Sequence, residues 1–305
     1  MPVSANIFHI ERASLHDGPG IRTVVYLKGC SLACRWCHNP EGICFKSEIG
    51  YHQKRCVGCG TCQEVCPKGC YYGMADGMIQ INYSSCIQCN LCVESCPANA
   101  LTLYGKQMTV HETMEEIKKD KDYYQSFNGG VTFSGGECLI QAEFMEEILQ
   151  QCHREGITSL VESAFHVPWN TIEKVAPFVD IFYVDIKHMD TAVHREYTGK
   201  GNELILENIR KIFSFHDNIH IRIPLIPAVN DNDENLLNTG EFVQSCGGDH
   251  VTLLQYNSLG ENKYIALQQQ FYQISGEVPT KEELIQKCAD LNCKIGIENF
   301  FRIDI

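Results

Sequence analysis

The sequence predicts an α/β protein, a partial (β/α)6 barrel that carries a small inserted domain. Three observations predict it. Six short β-branched or aromatic runs alternate with segments of helical periodicity. Residues 50–103 break that alternation with a repeated cysteine pattern. The length of 305 residues suits one barrel-type domain of about 200 to 250 residues plus a small module. The barrel part is therefore expected to be discontinuous, over 1–49 and 104–305, with the insert at 50–103.

In chain order, "RTVVYLKGC" reads as the first strand and ends at a cysteine. Beyond the insert, "GVTFSGGE", "ITSLVES", "FVDIFYVDIK", "HIRIPLIP" and "HVTLLQY" supply five more. The helices between them are "TMEEIKKDKDYYQSF", "QAEFMEEILQQCHREG", "WNTIEKVAPF", "LILENIRKIFSF" and "DENLLNTGEFVQSCGG", with apolar residues at intervals of three and four. Two of them end at glycine. Such alternation implies a parallel sheet. Six units fall short of the eight that close a full barrel, and functional residues are expected at the C-terminal strand ends. There the sequence puts Cys30, Cys34 and Cys37, then Ser134, Gly135, Gly136 and Glu137, then Glu162 and Ser163, Asp185 and Lys187, Arg222, and Asn257.

Most of the eighteen cysteines fall in three tight groups. The opening "MPVSANIFHIERASLHDG" has neither the basic start nor the apolar stretch of an export signal. Clustered cysteines then point to metal rather than disulfides. Cys56, Cys59, Cys62 and Cys66 precede Pro67, and Cys86, Cys89, Cys92 and Cys96 precede Pro97. Both runs read C-x2-C-x2-C-x3-C-P, the bacterial ferredoxin pattern for a [4Fe–4S] cluster, in which the fourth cysteine of each run ligates the other cluster. One cluster would take Cys56, Cys59, Cys62 and Cys96, and the other Cys86, Cys89, Cys92 and Cys66. Two zinc knuckles are the alternative, although zinc ligand pairs usually flank a longer loop. Asp76-Gly77 predicts a hairpin turn between the runs.

The first group, Cys30, Cys34 and Cys37, has only three cysteines, spaced C-x3-C-x2-C. Three thiolates on a four-iron cubane leave one iron open, as catalytic metal sites keep a position free for substrate. A Cys3His zinc site through His38 and a three-iron cluster are the other readings. Cys44, Cys70, Cys138, Cys152, Cys246, Cys288 and Cys293 read as buried free thiols; Cys70, four residues past Cys66, stands out among them. The net charge of −13 argues against a nucleic-acid partner, and no apolar run approaches the roughly 20 residues of a membrane span. A cytoplasmic protein with a protein or small-molecule partner is expected.

The cysteine triplet after a first strand and the Gly-Gly-Glu after a second resemble the radical S-adenosylmethionine superfamily. More narrowly, "HDGPGIRTVVYLKGC", "RWCHNPE", "GGVTFSGGE", "DIKHMD", "EYTGKGN", "RIPLIPAVND" and "LGENKY" resemble the glycyl radical enzyme activating enzymes, in the branch that carries a ferredoxin insert. The resemblance covers nearly the whole chain. It implies three [4Fe–4S] clusters, with S-adenosylmethionine on the open iron of the Cys30, Cys34 and Cys37 cluster. Gly135, Gly136, Glu137, Glu162, Ser163, Asp185, Lys187, Arg222 and Asn257 would lie around that cofactor, and a monovalent cation could sit near Asp185. Asp17, Gly18 and Gly20 would meet the glycine loop of a partner glycyl radical enzyme. A flavodoxin or ferredoxin would supply electrons to a monomeric activase, through the insert as a relay or with the insert as a docking surface. The chain departs from the family pattern at Cys138, where proline is common, at Asn257, where histidine is common, and in "VESAFH". A radical enzyme for another small molecule or peptide, and a multi-cluster electron carrier, are the rival readings.

Overall fold

The computed structural model describes residues 2–73 and 79–303. Thirteen strands form among them: β1 (Ser4–Ser14), β2 (Arg22–Leu27), β3 (Glu48–Tyr51), β4 (Tyr71–Gly73), β5 (Ile79–Ile81), β6 (Leu101–Tyr104), β7 (Lys106–Thr109), β8 (Gly130–Gly135), β9 (Thr158–Ser163), β10 (Ile181–Asp185), β11 (Ile219–Pro224), β12 (Val251–Leu254) and β13 (Phe301–Ile303). Nine of them build one sheet in the order β13-β12-β11-β10-β9-β8-β2-β1-β7. From β2 to β13 every pairing is parallel, whereas β1 pairs antiparallel with both β2 and β7. All six expected strands are present, in sequence order across the sheet. Strands β1, β7 and β13 extend it beyond the expectation, and β13 and β7 are its two edges.

The strands alternate in chemistry with the period of two that their pleat imposes. Val131, Phe133, Val161, Phe182, Val184, Ile221 and Ile223 are buried in the apolar core. The alternate positions, Thr132, Ser134, Glu162, Tyr183, Asp185 and Arg222, point to the opposite face. Helices cover the apolar face. Ala142–Arg154 buries Phe144, Met145, Ile148, Leu149 and Cys152, and Glu203–Ile212 buries Ile205, Asn208, Ile209 and Ile212. The expected helix over 113–127 is two, Val110–Lys118 and Lys121–Phe127, broken next to Asp120. The buried Asp120 carboxylate accepts hydrogen bonds from Arg12 and Thr23 there, which fixes the chain's change of direction.

The cysteine-rich segment is tied at both ends by β3 and β6, which pair antiparallel from Glu48↔Tyr104 to Tyr51↔Leu101. Inside it β4 and β5 form a second antiparallel pair; the Asp76-Gly77 turn between them lies outside the described residues. The segment has its own small core, in which Ile49, Tyr51, Tyr71, Ile81 and Leu101 pack with Cys62, Cys70 and Cys92. No helix among the described residues is long and apolar enough to cross a membrane.

Candidate active site and cysteine-lined cavities

A cavity of about 390 Å³ opens at the C-terminal ends of the parallel strands. Cys30, Cys34, Cys37, Ser134, Gly135, Gly136, Glu137, Glu162, Ser163, Asp185, Lys187, Arg222 and Asp17 line it. The cysteine loop is closed on itself: Gly29 and Cys30 N–H donate to the carbonyls of Gly42 and Ile43 at 2.8 and 3.0 Å. The buried Lys28 ammonium, held by the Glu41 carbonyl at 2.5 Å and the Glu48 carboxylate at 3.1 Å, anchors the loop's stem. Burial pushes the Cys30 and Cys37 thiols up to about 12 and raises Cys34 as well. Three such thiols side by side ionise only when a cationic metal centre compensates them, so this donor set fits a resident metal cluster.

The two glycines at the end of β8, Gly135 and Gly136, have a packing role. Gly136 N–H donates to the Leu27 carbonyl at 2.9 Å, and Glu137 N–H donates to that of Gly29 at 2.8 Å. A Cβ on Gly136 would fall 2.4 Å from the Gly29 oxygen and 2.5 Å from that of Gly42. The Gly-Gly pair therefore lets β8 press its end against the cysteine loop. Glu137, 1% exposed, accepts from Ser163 Oγ at 2.7 Å and Ala164 N–H at 3.0 Å. Burial pushes its carboxyl up to about 7, against the pull of those bonds.

Sheet register assembles the charged groups. Asp185 pairs directly with Arg222 across β10 and β11. The Arg222 guanidinium then bridges Asp185 at 3.0 Å and Glu162 at 2.8 Å and lies 4.6 Å from the centre of the Tyr183 ring. Lys187 donates to the other Asp185 oxygen at 2.8 Å, and Ser134 to Glu162 at 2.6 Å. Burial opposes the Asp185 charge, but Arg222 and Lys187 outweigh it and hold the carboxyl below its usual range. Both cations are held above theirs by the facing carboxylates, despite burial.

Asp17 reaches the rim and accepts from Ser14. Burial, first, and nearby Glu162 push its pKa above the usual carboxylate range although the Ser14 bond opposes them. Gly18 and Gly20 do not line the cavity. At Gly20, φ is +72° and a Cβ would fall 2.3 Å from the Phe127 carbonyl oxygen, so its close backbone approach is within the chain. Asn257 is exposed and outside the cavity lining, where its side-chain oxygen accepts from Leu259 N–H at 3.2 Å. The lining also includes Leu32, Trp36, His38, Pro224, Ile226 and Leu254, for which the sequence offers only the signal of adjacency to the cysteines or to strand ends.

In the inserted segment two further cavities appear. Cys56, Cys59, Cys62 and Cys96 line one, with Tyr51, Ala100 and Leu101 beside them. Cys66, Cys86, Cys89 and Cys92 line the other, with Ile49, Cys70 and Tyr71. Three consecutive cysteines of one run thus meet the fourth of the other. Among the described residues no three metal-binding side chains converge on a single point; the sulfurs stand around a space instead. Backbone N–H groups point at them in matched pairs, from Gly58 and Gln88 to Cys56 and Cys86 at 3.5 and 3.4 Å, and from Cys70 and Ala100 to Cys66 and Cys96 at 3.3 Å each.

Comparison with known proteins bears on both regions. A family model for the radical SAM superfamily matches residues 61–240, and one for a 4Fe-4S binding domain matches 49–72. The chain is 43% identical to the (2S)-3-sulfopropanediol dehydratase activating enzyme of Klebsiella oxytoca, over 86% of this chain and 84% of that one. It is 38% identical to the trans-4-hydroxy-L-proline dehydratase activating enzyme of Clostridioides difficile, over 95% and 98%. Streptococcus suis SuiB bound to its precursor peptide SuiA shares the fold at 11% identity, with a TM-score of 0.57, over 95% of this chain and 49% of that one.

Proposed function

Since the chain belongs to the radical SAM superfamily, among the activating enzymes of glycyl radical enzymes, we propose that its sheet-edge cavity binds S-adenosylmethionine on a [4Fe–4S] cluster and activates a partner glycyl radical enzyme. The observation that carries this reading is the convergence of the three-cysteine loop, the Gly-Gly-Glu turn and the ion row on one cavity. A cluster there supplies one electron, with which S-adenosylmethionine gives methionine and a 5'-deoxyadenosyl radical that takes a hydrogen atom from a backbone glycine of the partner.

The chain's own residues then have distinct tasks. Cys30, Cys34 and Cys37 hold the cluster and leave one iron open. Glu137, with Gly135 and Gly136, borders the amino end of the methionine moiety, and Ser163 keeps the Glu137 carboxyl oriented. Glu162, Asp185, Arg222 and Lys187 together carry no net charge, so they present both signs to a zwitterionic ligand. A monovalent cation near Asp185 would use the lone pairs that Lys187 and Arg222 leave free. Asp17 at the rim, on the loop shaped by Gly18 and Gly20, faces the incoming glycine loop; Asn257 stands outside this set.

The open parallel sheet is read as a partial (β/α)6 barrel over 1–49 and 104–305, with a two-cluster ferredoxin-like domain at 50–103. The four-sulfur cavities support the exchange of fourth ligands between the runs. Sulfurs spread around a space suit one thiolate per iron better than a single zinc, where all four ligands sit about 2.3 Å from one ion. The insert would relay electrons from a flavodoxin or ferredoxin in the cytoplasm, with the activase itself monomeric. The test is anaerobic incubation of the reduced, reconstituted protein with S-adenosylmethionine and candidate glycyl radical enzymes from its gene neighbourhood. A glycyl radical signal by electron paramagnetic resonance on one of them is the expected result. S-adenosylmethionine cleavage with no radical on any candidate, and transfer to a small molecule instead, would refute it.

A further inference from the structure

The "LGENKY" stretch lies outside the lining of the sheet-edge cavity. It leads into a short helix, Glu261–Ala266, that is seated on the cysteine loop. A Cβ on Gly260 would fall 3.2 Å from the His38 Cα and 3.3 Å from the Cys37 carbonyl oxygen, so the helix begins against the last cysteine of the triplet. Lys263 then donates to the Asn39 side-chain oxygen at 2.7 Å and pairs with the buried Glu41 carboxylate at 2.8 Å. Both contacts fix the helix to the loop.

Its other end reaches the insert. Gln269 N–H donates back to the Tyr264 carbonyl at 2.9 Å, and Gln268, with a φ of +55°, turns the chain out of the helix. The Gln268 side-chain amide meets one edge of β5: Ile81 N–H donates to its Oε1 at 2.9 Å, and its Nε2 donates to the Ile79 carbonyl at 2.6 Å. The other edge of β5 is paired with β4, Gln80 opposite Tyr72. A carboxamide has the donor and the acceptor of a peptide group, so Gln268 stands where the peptide of a third strand would stand. Ile79 lines the cavity of Cys56, Cys59, Cys62 and Cys96, and Ile81 is buried in the insert's own core. The chain crosses between barrel and insert at β3 and β6; Gln268 gives the β4–β5 pair a tether of its own.

We propose that Gln268 is a positioning residue that pins β5 to the barrel and so sets the separation between the clusters of the insert and the cluster of Cys30, Cys34 and Cys37. This rests on the reading that the insert relays electrons. In that relay one electron leaves a reduced insert cluster, which is oxidised, and enters the triplet cluster, which is reduced; the external flavodoxin or ferredoxin then restores the insert. The rate of such a transfer falls exponentially with distance. A strand held by two directed bonds, at the end of a helix anchored on the receiving loop, keeps that distance short and constant.

The test uses the full chain, reconstituted anaerobically, with Gln268→Met, which keeps the length of the side chain and removes both bonds. Hydrogen–deuterium exchange should become several-fold faster in the peptide that carries Ile81, with about twelve irons still bound. With flavodoxin as reductant, the maximal rate of S-adenosylmethionine cleavage should fall about tenfold while KM for flavodoxin and for S-adenosylmethionine is unchanged. Cleavage driven by dithionite should stay within a few-fold. Gln268→Asn, which suits the same left-handed backbone but whose amide falls one carbon short, should behave alike. Unchanged exchange at Ile81 would overturn the proposal, and so would loss of iron, since the residue would then serve cluster retention rather than distance. An unchanged flavodoxin-driven rate would also overturn it where Cys62→Ser with Cys92→Ser abolishes that rate, and the relay reading would stand. Flavodoxin-driven cleavage that survives in the double cysteine variant would refute the relay reading together with the proposal.

Discussion

In the sheet-edge cavity, Glu162, Asp185, Lys187 and Arg222 come from three strands and their ends, with Glu162 and Arg222 60 positions apart. In the insert, all eight expected ligands lie between Cys56 and Cys96, and each cysteine of the second run follows its counterpart by thirty positions. The first arrangement depends on register: a one-residue slip of a strand would turn Asp185 or Arg222 to the helix-covered face. The second depends on local turns, which recur in both halves with positive φ at Gly58 and Gln88, Gly60 and Asn90, and Gly69 and Asn99. Long-range packing therefore controls the sheet-edge cavity, and short-range sequence controls the two cysteine-lined cavities of the insert. Damage to one should spare the other.

The largest expected effect separates the two by function. Cys62→Ser with Cys92→Ser alters one ligand in each insert cavity and leaves the Cys30, Cys34 and Cys37 loop alone. S-adenosylmethionine cleavage driven by a flavodoxin should fall by about a hundredfold or more as the relay loses its clusters, while cleavage driven by dithionite should stay within a few-fold. Equal loss with both reductants would break the distinction.

Folding stability offers a second contrast, read from denaturant midpoints of the apoprotein. Gly136→Ala should cost about 4 kcal/mol, because its Cβ would meet two backbone oxygens that cannot yield. Gly58→Ala should cost about 1 kcal/mol, the left-handed backbone alone, since a Cβ there meets nothing within 4 Å. Similar costs at both sites would mean that the cysteine loop is not locked by the β8 turn.

A third contrast is a pH dependence confined to the sheet cavity. The Glu137 carboxyl is pushed up to about 7 in the fold from an ordinary value of 4.5. Its contribution is neutral below about pH 4.5, where it is protonated both folded and unfolded. Between 4.5 and 7 the unfolded chain ionises first, so the apoprotein loses stability as pH rises, by about 3 kcal/mol in all, with the loss complete above about 7. Glu137→Gln should lack this slope, which then appears in the difference between the two proteins' stability curves. A slope that persists in the variant would assign it to other groups.

Much of this was legible before any coordinates. The six strands follow from β-branched runs, and the cysteine groups from spacing alone. What stayed hidden depended on partners distant in sequence. β1 has one exposed face and mixes Asn6, His9 and Glu11 with its apolar residues, so it lacks the continuous apolar run of the central strands. The helix Thr191–Thr198 buries only His194 and Thr198, too little for a periodic signal. Lys281–Ile295 starts with a Thr280 and Glu283 capping box that the apolar pattern alone does not register. Ser134 and Tyr183 gain their roles only when register brings them to Glu162 and Arg222. Asn257 was expected at a strand end, but β12 stops at Leu254 and the exposed chain beyond carries Asn257 away from the cavity.

The most direct test of the central claim is the yield of 5'-deoxyadenosine from anaerobically reconstituted, reduced protein given S-adenosylmethionine, with iron counted in parallel and Cys34→Ala as the control. The account predicts about twelve irons, with 5'-deoxyadenosine formed, and in Cys34→Ala a loss of about four irons together with all cleavage. About eight irons and no 5'-deoxyadenosine from the unaltered protein would contradict it, leaving an electron carrier whose three-cysteine loop holds no active cluster.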